Sequence, residues 1–202
     1  RSDEQAARRG MMTNIFHDLR SPLFIMKGCL DQLEDVVPAG NKTISVMRER
    51  LDFQEQLISD LFLAARLEER KLMITDNAVN ITSLCRETVE TYKDAALAGG
   101  VELSGSYIED CIIGGERFRV EQVLQNLIVN ALHHTKPGGR VTLIMSLTDG
   151  KVSIDICDTG SGIPKEELPH VFERYYRVSR ADDPGSTGLG LSIARDLTEA
   201  MH

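Results

Sequence analysis

The sequence predicts an α+β chain in two parts. An N-terminal helical hairpin pairs with a second copy into a dimeric four-helix bundle, and a two-layer α/β sandwich with a mixed sheet follows. Three observations predict this. Apolar residues recur at alternating spacings of four and three through the first third, two alternating strands flank Asp149-Gly150, and glycine-rich stretches interrupt helical patterns near the end.

The first helix has the seam Met12, Phe16, Leu19, Leu23, Met26, Leu30, Leu33 and Val37, and Pro38-Ala-Gly40 breaks it. A second helix runs from Lys42 to Leu72, with Ile44, Met47, Leu51, Ile58, Leu61 and Ala65 on its seam and Gln54 interrupting it. A lone hairpin of this size buries too little apolar surface to be stable, and Phe53, Leu57 and Phe62 widen the apolar face. A homodimer is therefore expected; the rival reading packs the hairpin on the chain's own second half.

The pattern changes between Leu72 and Asn77, which gives domains 1–72 and 73–202. Ala78 to Ile81 is a short apolar stretch before a helix over 82–98, ended by Gly99-Gly100. Val101–Ser104 and Cys111–Ile113 read as strands, and Arg119 to His134 as a helix with Val120, Val123, Leu124, Leu127, Ile128 and Ala131 buried. VTLIMSL and KVSIDIC then alternate on either side of Asp149-Gly150, a hairpin.

A net charge of −8 argues against nucleic acid or an anionic membrane as the main partner. Cys29, Cys85, Cys111 and Cys157 form no CxxC pair, so small buried thiols are expected rather than a disulfide framework or a zinc site. No apolar run approaches the roughly 20 residues that span a bilayer.

Several stretches invite chemistry. FHDLRSPL places His17 beside Asp18, with Ser21 four residues on and Pro22 after it. Asn126 and Asn130 share one helix face, and an amide oxygen suits Mg2+; a satisfied polar pair is the alternative. In DTGSGIP the glycines Gly160 and Gly162 let a backbone approach a flat ligand, and Asp158 can accept from an exocyclic amine. GSTGLGLSIAR fits GxGxxA, but no strand precedes it and no acidic residue follows at the required distance, so a dinucleotide fold is rejected. A glycine loop opening a helix still offers N–H groups to phosphate. Arg174, Arg177 and Arg180 lie between these stretches and suit phosphates or plain solvent equally.

In this order the motifs resemble the cytoplasmic transmitter of bacterial two-component sensor histidine kinases. FHDLRSPL resembles the phospho-acceptor box, QNLIVNALHHT the asparagine box, DTGSGIP and GSTGLGL the two glycine boxes, and FERYYR the phenylalanine box. The resemblance covers nearly the whole chain. It implies a dimerisation and phosphotransfer domain followed by an adenine-sandwich ATP-binding domain, with ATP and Mg2+ required.

The resemblance also implies roles. His17 attacks the γ-phosphate of ATP, and Asp18 accepts the other ring proton. Ser21 stands where the family has a threonine or asparagine that positions water for dephosphorylation. Asn130 ligates Mg2+ with Asn126 beside it, and Asp158 binds the adenine amino group between Gly160 and Gly162. Thr187, Gly188, Leu189 and Gly190 wrap the phosphates, and Arg177 orients the γ-phosphate. The implied partners are a second copy and a response-regulator receiver domain. A bacterial inner-membrane parent is implied too, with this chain on its cytoplasmic side.

Two departures stand out. His133 replaces the family's usual lysine and His134 its aromatic, so phosphate contact weakens while His134 keeps a ring for adenine. The family also continues past a position like His202 with a glycine pair and further strands, so the sheet is expected to be truncated. These departures support an alternative, a catalytically weak dimeric scaffold with a degenerate nucleotide domain.

Overall fold

A computed structural model describes residues 19, 21–34, 36–37, 41–68, 77–178 and 187–201. The chain divides into two compact units, residues 1–71 with 183–187, and residues 72–182 with 188–202.

In the first unit, helical residues 21–34 (α1) precede α2 (Lys42–Glu68). The Asn41 side chain opens α2, accepting from the N–H groups of Thr43 (3.0 Å) and Ile44 (3.4 Å). Lys27 pairs with Asp52 (2.7 Å) and Glu55, and Arg48 with Asp31 (2.6 Å) and Glu34 (2.8 Å). Partners retreat along α2 as they advance along α1, so the helices are antiparallel. Exposed pairs of this kind set register more than they stabilise.

The α1 seam divides. Leu23 and Leu30, seven apart, are buried, whereas Leu19, Met26 and Leu33, also seven apart, stay 44–46% exposed. One partner helix covers one heptad row and leaves the other facing out. Along α2 the deepest residues are Asp60, Leu63 and Ala64, not the expected Met47, which is exposed. The run Leu57–Ala65 is apolar on nearly every side, so periodicity alone does not select its buried stripe.

Burial raises the Asp60 carboxyl above its ordinary value, opposed by hydrogen bonds from Gln56 (2.8 Å) and from Thr187 (3.4 Å), which groups with this unit. The unfolded chain ionises Asp60 at the ordinary value. The fold therefore carries the cost of a buried charge above the raised value, and loses that cost as pH falls through it. Asp60→Asn keeps the acceptor oxygen and is expected to raise Tm by a few degrees at about pH 8, with the gain gone below about pH 4. Thermal melts at both pH values check this; equal melting at the higher one sinks it.

The second unit runs β1 (Asn77–Asn80), α3 (Ile81–Ala98), β2 (Glu102–Ser106), β3 (Ile112–Gly115), α4 (Arg117–His134), β4 (Arg140–Thr148), β5 (Lys151–Asp158) and α5 (Gly190–Ala200). Asn80 caps α3 through the Ser83 N–H (2.9 Å), an interaction that typically contributes about 1 kcal/mol. At the β4–β5 turn both Asp149 (φ 53°) and Gly150 (φ 75°) are left-handed, as a two-residue hairpin requires.

The fold is α+β with a mixed sheet: β4 is central, parallel to β2 (Leu103 opposite Val141) and antiparallel to β5 (Met145 opposite Ile154). The strand at Ile112 does not join it. It pairs instead with β1, Val79 opposite Ile113, as a separate two-stranded ribbon. Ile81, Leu84, Cys85 and Val89 of α3, Val120, Leu124, Ile128 and Ala131 of α4, and Val141, Leu143 and Met145 of β4 make one core. Each fully buried Leu or Ile there contributes about 1.5–3 kcal/mol by leaving water.

The expectation of buried thiols holds for Cys85, whose pKa burial pushes up to about 12. It fails for Cys29 and Cys157, which are exposed. Cys157 alternates with the core-facing Ile156 on β5, so strand pleat alone turns it outward.

Candidate functional site

Helix α4 buries Val120, Leu124, Ile128 and Ala131, four- and three-spaced, against the core. Asn126 and Asn130 are therefore turned to the opposite side. There Asn126 meets the start of α5: a Cβ on Gly190 would stand 3.9 Å from the Asn126 amide carbon. Asn126 Nδ2 is buried and has no hydrogen-bond partner among the described residues. An orphaned buried donor costs a fold about 1–3 kcal/mol, so it points to a ligand that accepts from it.

The turn after β5 docks on the other end of α4. Thr159 prolongs the ladder, donating its N–H to Arg140 O (3.0 Å) and accepting at Oγ1 from Arg140 N–H (2.9 Å). Asp158 Oδ1 accepts from Gly160 N–H (2.8 Å), which fixes the carboxylate while leaving it exposed. Gly160 lies so close to α4 that a Cβ would stand 2.5 Å from His134 O, and the Ser161 N–H also reaches that oxygen (3.4 Å). Only glycine permits this approach.

The second glycine stretch is gripped from a different side. Gly188 is left-handed (φ 67°), and a Cβ on it would come within 2.8 Å of the Tyr175 carbonyl carbon. Tyr175 N–H donates to Gly188 O (2.9 Å), and Tyr175 is itself left-handed (φ 64°), a conformation that costs a non-glycine residue about 1–2 kcal/mol. Leu189 is fully buried and anchors the stretch. Among the described residues no side chain caps α5, so an anion can seat at its start.

Residues 115–202 match the family described as histidine kinase-, DNA gyrase B- and HSP90-like ATPases. The chain is 31% identical over 192 residues to the sensor histidine kinase RppB of Synechocystis sp., covering 92% of this chain and 42% of the relative. The histidine-protein kinase BaeS of Escherichia coli is 28% identical over 98% of this chain and 43% of its own length. By sequence and by fold the chain is similar to the transmitter region of sensor histidine kinases. It spans 42–43% of the length of these curated relatives. Among solved structures, full-length ShkA in complex with AMPPNP superposes over 95% of this chain and 41% of its own, with TM-score 0.76 and 26% identity. The catalytic domain of ThkA matches 63% of this chain and 82% of its own, with TM-score 0.56 and 26% identity.

The sequence-derived residues are placed unevenly. Asn126, Asn130, Asp158, Gly160, Gly162, Gly188, Leu189 and Gly190 lie on α4 or on the two glycine turns. Ser21 is exposed on α1, while His17, Asp18 and Arg180 lie outside the described residues. The Thr187 hydroxyl donates to Asp60, and Arg177 is exposed. The rings of His133 and His134, in the last turn of α4, meet edge-on with centroids 5.1 Å apart.

Sequence reasoning missed the partners that hold the glycine turns. Arg174, read as a phosphate ligand or a solvated cation, pairs with Asp196 (2.8 Å). Thr159 closes the first turn and Tyr175 grips the second, and neither carries a composition signal. From Pro164 onward the chain makes a hydrogen-bonded turn every three residues, through Glu167, His170, Glu173 and Tyr176. Side chains close back across these turns: Tyr176 OH donates to Glu167, and His170 meets both Glu173 (2.7 Å) and the Tyr176 ring.

Proposed function

We propose that this transmitter is an ATP-dependent protein-histidine kinase that phosphorylates itself on His17 and passes the phosphoryl group to an aspartate of a response-regulator receiver domain. The observation that carries the reading is the orphaned, buried Asn126 amide beside the uncapped start of α5. That juxtaposition supplies donors for phosphate, and the exposed Asp158 carboxylate supplies an acceptor for the adenine amine. The AMPPNP complex of ShkA supports the same ligand here.

In the reaction an imidazole nitrogen of His17 bonds to the γ-phosphorus as the bond to the bridging oxygen breaks, ADP leaves, and Asp18 takes the other ring proton. Among the described residues no three His, Cys, Asp or Glu side chains gather to hold a metal. By the family resemblance Asn130 would hold Mg2+ together with ATP phosphates, and the ion would neutralise charge on the transferred group. Gly188, Leu189 and Gly190, preceded in sequence by Thr187, would cradle the phosphates, and Arg177 would help orient the γ-phosphate. His133 and His134 would contact the nucleotide, and Gly160 and Gly162 would let the adenine approach. Ser21 would orient water for dephosphorylating the receiver.

The proposed domains are 1–72 for dimerisation and phosphotransfer and 73–202 for ATP binding. The row Leu19, Met26 and Leu33, with Phe24 (79% exposed), supports a homodimer built as a four-helix bundle. Among the described residues no helix is long and apolar enough to cross a membrane. Resemblance to sensor kinases is what supports a membrane-attached bacterial parent with this region on its cytoplasmic side.

The test is incubation with γ-labelled ATP and Mg2+. Label that is acid-labile, alkali-stable and absent from His17→Gln is the expected result. A folded chain that binds ATP yet gains no label, or label that persists in His17→Gln, overturns the reading in favour of a nucleotide-binding scaffold.

A further inference from the structure

We propose that Arg174 is a positioning residue for the phosphate cradle: its ion pair with Asp196 clamps the FERYYR segment to α5. The inference rests on the ATP-binding reading of that cradle. The Arg174 guanidinium lies 2.8 Å from Asp196 Oδ2, with side chains 24% and 17% exposed, and Arg195 approaches the other oxygen at 3.3 Å. Solvent and salt screen a pair this covered only weakly.

Its placement gives the pair its role. The next residue, Tyr175, already holds Gly188 O through its N–H (2.9 Å). Asp196 lies six residues into α5 from Gly190, about 9 Å along the axis at the usual helical rise. Buried Ile193, Ala194 and Leu197 seat α5 in the second unit, and the backbone bond ties the FERYYR segment to its start at one point. The ion pair adds a second tie between that segment and α5, and so fixes how the segment lies over the first-turn N–H groups. Tyr175 is held left-handed between these two attachments. Arg174 acts through α5, not on the nucleotide.

Three variants test this: Arg174→Ala, Arg174→Lys and the charge swap Arg174→Asp/Asp196→Arg. The readouts are titration with a fluorescent ATP analogue, phosphoryl transfer at saturating ATP, and amide exchange of the peptide over 187–195. For Arg174→Ala the expected result is a Kd raised about five- to tenfold, transfer at saturation within about twofold of wild type, and faster exchange over 187–195. The swap is expected to restore both Kd and exchange, and lysine to restore them in part because it lacks the planar fork. Native Kd and native exchange in Arg174→Ala, or a folded swap that stays weak and fast-exchanging, overturns the proposal. If Arg174→Ala does not fold, the swap decides alone. If the wild type does not bind the analogue, the ATP reading fails, while the exchange comparison still judges the clamp.

Discussion

Gly160→Ala is expected to weaken nucleotide binding by about a hundredfold and to destabilise the second unit by about 1–3 kcal/mol. The added carbon would stand 2.5 Å from His134 O, 3.0 Å from His134 C and 2.8 Å from Asp158 Oδ1. Two of those atoms are backbone at the end of α4 and cannot swing aside. The turn must therefore leave the helix, and it takes with it the Asp158 carboxylate and the Ser161 hydrogen bond. Because one displacement causes both effects, analogue affinity and thermal stability should fall together. Loss of stability with native affinity would show that the turn is only structural.

Asn126→Leu is expected to separate the same two quantities. Leucine shares the branched outline of asparagine, is somewhat larger and carries no orphan donor; facing the side-chain-free Gly190, it should let the nucleotide-free protein melt at the same temperature or higher, with up to about 1–2 kcal/mol gained. Nucleotide affinity should fall by about two orders of magnitude, because the amide facing the start of α5 is gone. Melting curves with and without an ATP analogue measure both. A lower melting point without nucleotide would mean that Asn126 serves the fold, and unchanged affinity would remove it from the site.

What the sequence made legible follows the range of the signal. The β4–β5 hairpin is encoded within a few residues by Asp149-Gly150 between alternating strands, and the end of α3 by Gly99-Gly100. The glycine turns were readable because a missing side chain is itself a local signal. Pairing of β1 with β3 was not: each strand has four residues, and helix α3 intervenes. Arg174 and Asp196 stand 22 positions apart on segments with different periodicities, so no pattern joins them. In α1 the periodicity marked both heptad rows but carried no information on which one the α2 partner covers. Tyr175 illustrates a further limit, since tertiary contacts impose a left-handed backbone that its residue type disfavours.

The Tyr176–Glu167 hydrogen bond closes residues 167–176 into a loop, and Arg174 inside that loop reaches Asp196. The contour of the segment is therefore fixed from both ends. Inserting or deleting a residue between Glu167 and Arg174 lengthens or shortens the loop and pulls on both contacts at once. Engineered tags or cleavage sites placed there should disturb the glycine stretch that opens α5 as well as the segment itself.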